Sequence, residues 1–426
     1  MADMADASEI VVTGVGVVSP IGIGHAPFWD SLQHGRSGVR PVPYLVGTDF
    51  PVPFGGYVPD FDGKLYVQPR KAMKVMCREI QFGFAAAALA AAQAGIKSGT
   101  VAPDRMGVIY GSEMFYGEIP EVEPAYRACL DNNGRFQEEL WGPAGMSGLY
   151  PLWMLKYLPN MVACHVAISF DARGPNNTIT LGEASSLLAL VEGLNILRRG
   201  DADVMLIGGA GNRLNVTPLM YRRDSRLSHR TADPPGACRP FDADRDGMVN
   251  GEGAGVLVLE NRRHAEQRGA RILARVSGAC STFETPLPNG DSAGTAMERA
   301  MEGALRSASV APRELGFIKA NGIATVPADI REARAIRAVA GDVPVTAPKS
   351  FFGNLGAAAG IVEAVAAVLA LDARLIPPTL NYHRPDPACP IQVVHGGAAP
   401  LQQPLGLVLC ASGTGQTVAV VLDARG

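Results

Sequence analysis

The chain has 426 residues, 47% of them hydrophobic and 19% charged, which supplies a sizeable core and argues against disorder. Lys and Arg number 38 against 41 Asp and Glu, so the charge balance leaves no electrostatic footprint for nucleic acid or an anionic membrane surface. No apolar run reads as long enough to span a membrane, and the acidic first ten residues lack a signal-peptide core.

Residues 9–20, EIVVTGVGVVSP, read as a buried strand closing on a Gly-rich turn. No GxGxxG leads into a helix there, so dinucleotide binding is not implied. Residues 35–69, rich in Gly, Pro and aromatic side chains, read as loop, and 71–94 as one long Ala-rich helix. Met106–Gly111 is a short core strand. Residues 112–158 are predicted to be irregular, with Phe115, Tyr116, Trp141, Tyr150 and Trp153 clustered in them. Ordinary packing accounts for such a cluster; a partner surface or pocket lid is the functional alternative.

Residues 174–194, GPNNTITLGEASSLLALVEGL, carry the strongest local signal. A β-type run over 178–181 breaks at Gly182, and an apolar helical pattern follows through Ala184, Leu187, Leu188, Val191 and Leu194. Glu183 thus stands at a helix N-terminus, where an anion or a nucleophile is favoured. Orphan backbone donors and the helix dipole stabilise an exposed carboxylate there by roughly 0.3–1 kcal/mol. A buried one needs a partner, for which Lys349 is the expected cation.

Residues 203–209 form a buried strand. The stretch RPFDADRDGMVNGEGAGVLVLE, 239–260, is turn-rich and leads into another. Its Asp242, Asp244 and Asp246 resemble half of a calcium loop, but the remaining ligand spacing is absent and turn chemistry explains them better. Helices at 294–307 and 330–340 alternate with strands at 317–320 and 343–347. The run KSFFGNLGAAAGIVEAVAAVLAL, 349–371, precedes strands at 405–410 and 417–422. The segments starting at Gly182 and Gly353 echo each other: Gly and a polar residue, small residues, then Val-Glu in an apolar helix. That fits an α/β chain of two βα halves, divided as 1–255 and 256–426. The cysteines, Cys77, Cys129, Cys164, Cys238, Cys280, Cys389 and Cys410, form no CxxC pair. They read as reduced cytoplasmic thiols, and neither a metal nor a cofactor is expected.

TGVGVVSP, GPNNTI, GDADVMLIGGA, RPFDADRDGMVNGEGAGVLVLE, PKSFFGN and GAAAGIVEA stand in an order and spacing that resembles the β-ketoacyl-acyl-carrier-protein synthases. The resemblance covers nearly the whole chain. It implies the thiolase fold, with two similar halves in a five-layer α-β-α-β-α arrangement, a dimer, and acyl carrier protein as partner. Family members hold an acyl chain on a cysteine thiolate, use two histidines to stabilise the enolate of a decarboxylating malonyl thioester, and order the site with a lysine. Here the nucleophile position is Glu183 and the histidine positions are Asn321 and Asn354; the lysine remains as Lys349. The pocket gate corresponds to Thr414, with Phe352 near it. A carboxylate holds no stable acyl chain, and asparagines shuttle no proton near neutral pH. His165, His229 and His383 fall at no family catalytic position.

The resemblance therefore points to a degenerate member similar to a chain length factor. Such a subunit lacks the cysteine, commonly carrying Gln there, and completes a heterodimer with an active ketosynthase. Phe115 and Tyr116 then stand where the partner's tunnel would end. The alternative is a malonyl decarboxylase using Asn321 and Asn354 as oxyanion donors, a reaction an ionised Glu183 opposes.

Overall fold

The computed structural model describes residues 9–222, 226–285 and 293–425. Strands β1 (Ile10–Ser19), β2 (Met106–Gly111), β3 (Asn176–Ile179), β4 (Val204–Asn212) and β5 (Glu252–Asn261) form one half. Strands β6 (Ala274–Phe283), β7 (Phe317–Lys319), β8 (Val345–Thr346), β9 (Leu405–Ala411) and β10 (Gln416–Asp423) form the other. In space the first set runs β1-β5-β4-β2-β3 and the second β6-β10-β9-β7-β8, the same permutation. Pairing directions repeat as well: two antiparallel pairs, then two parallel ones, in each half. The faint sequence echo is thus a full repeat of topology. The halves join where β1 pairs with β6, Val11 opposite Arg275 and Val12 opposite Ala274. Residue 255 lies within β5, which pairs with β1 as far as Asn261.

Helices α1 (Arg78–Ala94) and α2 (Met161–Phe170) cover the outer face of the first sheet, and α4 (Thr295–Ala308) and α5 (Val326–Ala340) flank the second. Between the sheets lie α3 (Ser185–Arg199) and α7 (Ala359–Ala373), the latter preceded by the short α6 (Lys349–Phe352). The result is the five-layer thiolase fold. Every residue of α7 from Ala359 to Leu371 is buried, which requires a helix apolar on all sides. By length and composition Gly356–Ala373 could cross a membrane, contrary to the sequence expectation, but 89% of it is buried inside the protein. On the outer face, α1 lies against β1 because Gly14 and Gly16 lack side chains. A Cβ at either would fall 2.4 or 1.9 Å from the carbonyl oxygens of Ala90 and Ala86.

Three local expectations change. The long helix starts at Arg78, because 70–75 form a 3-10 turn and Cys77 is extended at ψ 175°. Residues 35–69 contain a hairpin, Val39–Pro41 with Phe54–Gly56, held by burial of Val39 and Phe54 against Leu227 and Met248. Residues 112–158 include a helix, Ile119–Ala128, with a proline in its first turn. Helix His25–Gln33, α2 and β6 carry no clear signature in the sequence.

The first turn of α1 holds Glu79, only 4% exposed. Burial, with the nearby carboxylates of Glu118 and Glu252, pushes its carboxyl up to about 7. The folded state therefore keeps a proton that the unfolded chain releases, and stability falls as pH rises from the ordinary carboxylate range through about 7. Glu79→Gln should gain roughly 2–3 kcal/mol at pH 8 and little at pH 4, as read by urea unfolding at the two pH values.

Candidate active site

After β3 the chain reverses at Gly182, φ +57°, and presents Glu183 ahead of α3. The Ser185 hydroxyl fastens the turn, accepting from the Leu181 N–H at 2.7 Å and donating to the Gly182 carbonyl at 2.6 Å. The second half repeats this reversal at Gly353, φ +74°, which presents Asn354. The following helices touch: the Ser186 hydroxyl accepts the Ile361 N–H at 3.1 Å, and a Cβ at Gly360 would fall 2.8 Å from Leu187. Helix contact thereby brings Glu183 and Asn354 onto one wall of a cavity of about 470 Å³, shared with Glu113, Tyr116, Arg213 and Ser412.

Glu183 is 14% exposed and Arg213 10%. The Arg213 guanidinium donates to Glu183 Oε1 at 2.5 Å, the Asn354 amide donates to the same oxygen at 3.3 Å, and the Ser412 hydroxyl to Oε2 at 3.3 Å. The Cys410 thiol donates to the Glu183 backbone carbonyl at 3.2 Å. Burial alone would raise the Glu183 carboxyl. The Arg213 charge, its own backbone N–H, the Asn354 amide and the field of Lys349 outweigh burial and hold it at about 2. Glu183 is therefore ionised near neutral pH.

Its partner is Arg213, not Lys349. The Lys349 ammonium is committed to Glu363 at 2.5 Å and to Asn321, whose backbone and side-chain oxygens accept from it at 2.8 and 3.1 Å. Burial works to lower the Lys349 amine, but Glu363 together with Cys410 and Glu332 offsets that and keeps it above the ordinary lysine value. Lys319 forms a second ion pair with Glu363. Sequence reading passed over Arg213, although a charge directly after the buried strand VMLIGGAGN signals a nearby counter-ion.

The remaining candidate residues separate. Asn321 is buried behind the cavity wall, its N–H donating to Glu332 at 2.5 Å, and neither it nor Lys349 lines the cavity. Thr414 does line it, its hydroxyl 3.0 Å from that of Ser412. Phe352 is fully buried with its ring 6.1 Å from that of Phe28, and belongs to the core. Phe115, 5% exposed, packs in the cluster under α1, whereas Tyr116 faces the cavity. His165 lies on α2, and His229 and His383 are exposed; none of the three lines the cavity. Asp242 accepts the N–H groups of Asp244, His383 and Arg384 at 2.8–2.9 Å, the turn role expected of it. Among the described residues no cluster of His, Cys, Asp and Glu could hold a metal ion.

Residues 7–265 match the family profile "Beta-ketoacyl synthase, N-terminal domain", and 273–383 match its C-terminal counterpart. The chain belongs to the β-ketoacyl synthase family. It is 33% identical over 400 residues to a 3-oxoacyl-[acyl-carrier-protein] synthase 2 from Synechocystis sp., covering 91% of each chain. Among solved structures it resembles the ishigamide ketosynthase/chain length factor, with TM-score 0.85, 28% identity, and 98% and 99% of the two chains covered. It also resembles AntDE:AntF, a type II polyketide acyl carrier protein in complex with its ketosynthase, with TM-score 0.83, 29% identity, and 98% and 99% covered. The cavity wall ahead of α3 thus carries an ion-paired carboxylate.

Because the folded-state value of Glu183 is depressed, its contribution is present above the ordinary carboxylate range and is lost as pH falls towards 2. Arg213→Met leaves that carboxylate buried without its main counter-ion and should cost about 3–5 kcal/mol at pH 7. The loss should shrink at pH 4, where the unpaired carboxyl takes up a proton; denaturant titrations at both pH values measure it.

Proposed function

We propose that this β-ketoacyl synthase homologue is a non-catalytic partner of an active ketosynthase, in the manner of a chain length factor. The observation that carries the reading is the state of Glu183: an ionised carboxylate tied to Arg213 where condensation needs an acyl-accepting thiolate. The nearest thiol, Cys410, is buried, its value pushed up to about 12. The scaffold around this inert position is otherwise complete, which fits a fold kept for assembly.

Among the described residues the first sheet ends at β3, which pairs with β2 alone. Exposed apolar side chains flank β3 in the sequence, Ile168 at 77% and Leu181 at 37%, and Met114 at 60% follows its neighbour β2. An open strand edge beside exposed apolar groups suits a two-fold partner of the same fold. Phe115 is committed to the chain's own core, whereas Met114 and Tyr116 line the cavity, and these two are the members of that run proposed to close the partner's tunnel. An acyl carrier protein is the second proposed partner, and a cytoplasmic location fits the seven unpaired thiols.

The decarboxylase alternative loses support on geometry. It needs two amide donors converging on one oxygen, but Asn354 donates to Glu183 and Asn321 lies outside the cavity lining. A malonyl carboxylate would also meet the fixed charge of Glu183.

Incubated with acyl- or malonyl-carrier protein, the purified chain should gain no covalent acyl mass and release carbon dioxide at background rate. A stable adduct mapped to residues 174–194 would overturn the reading. Co-expressed with a cysteine-bearing ketosynthase from the same source, it should run as a heterodimer by native mass measurement; homodimers in that partner's presence would count against it. Met114→Ala or Tyr116→Ala should then lengthen the partner's products without stopping turnover.

A further inference from the structure

Charges alternate in sign from the cavity into the core: Glu113, Arg213, Glu183, Lys349, Glu363, Lys319. Arg213 reaches Glu113 at 3.9 Å and Glu183 at 2.5 Å. Lys349 acts on Glu183 through its field and pairs with Glu363 at 2.5 Å, and Glu363 also holds Lys319. Position 183 therefore has one cation in direct contact, Arg213, and a second, Lys349, that acts on it through its field. Neutral donors complete the ring: the Asn354 amide, the Ser412 hydroxyl and the backbone N–H of residue 183 itself. None of these groups depends on the carboxylate being part of the chain. They would meet a free carboxylate in the same place with the same charge-assisted bonds.

We propose that the cavity wall is a preformed carboxylate site which the chain fills with its own Glu183 side chain. Filled in this way, the wall refuses a second anionic ligand; with the side chain cut back, it takes a small free monocarboxylate. This explains why the residue is acidic rather than the neutral Gln common in similar subunits. A Gln would leave Arg213 and Lys349 without the anion between them, and its NH2 group would face other donors. The inference concerns this chain alone and does not depend on which partner it takes.

The test uses the full-length chain and acetate, with chloride at equal ionic strength as control. Glu183→Ala should lower the melting temperature by an amount on the order of 5 °C, and acetate should restore it saturably where chloride does not. The wild-type chain should not respond, because its site is occupied, and Glu183→Ala combined with Arg213→Met should not respond, because the main cation is gone. Equal acetate and chloride effects on Glu183→Ala, or equal acetate effects on it and the wild type, would overturn the proposal. Should Glu183→Ala fail to fold, Glu183→Cys asks the same question: iodoacetamide alkylates the thiolate with loss of iodide. The introduced thiol should reach its half-maximal rate about 2 pH units below the ordinary 8.5. An unshifted profile would show that the wall has no preference for an anion.

Discussion

Two helices sandwiched between the sheets, α3 and α7, position everything at the site. Each starts just after a reversal at a glycine with positive φ, and each directs a polar residue, Glu183 or Asn354, to the same wall. Their contact is made by small groups, Ser186 and Gly360, so the helices lie close and their first turns stay in register. Close packing of this kind tolerates little displacement. A bulkier residue at Gly360 would separate the halves at the point where they share the cavity.

The buried charges depend on that register. An isolated ion in an interior is costly, and a pair is tolerated only with good geometry and satisfied hydrogen bonds. Here Glu183 has one guanidinium, one amide and one hydroxyl directed at it, and Lys349 is saturated by Glu363 and two oxygens of Asn321. The negative charge at position 183 is what the Arg213 guanidinium beside it requires.

Much of this was legible in the sequence. The apolar periods of α3 and α7 and the strand runs placed the main elements, and the motif order pointed to the family before any coordinates. The resemblance assigned Glu183, Asn321, Asn354 and Lys349 to family positions, and the structure brings Glu183 and Asn354 onto one cavity wall. Other features gave no local sign. The helix within 112–158 is interrupted by prolines, and the hairpin within 35–69 is held by residues nearly two hundred positions away. Phe115 and Phe352 looked like pocket residues, yet both are spent on core packing.

By itself the sequence determined the family and the α/β alternation, because these rest on residue identity and short-range periodicity. Only the tertiary structure decided which cation neutralises Glu183, that Asn321 stands behind the wall while Asn354 stands on it, and that the halves repeat one strand permutation. The reason is distance along the chain. Arg213 meets Glu183 across 30 residues and Asn354 meets it across 171, joined by helix and sheet contacts that no local pattern encodes. Whether a buried charge is paired, and with whom, is set by those long-range contacts.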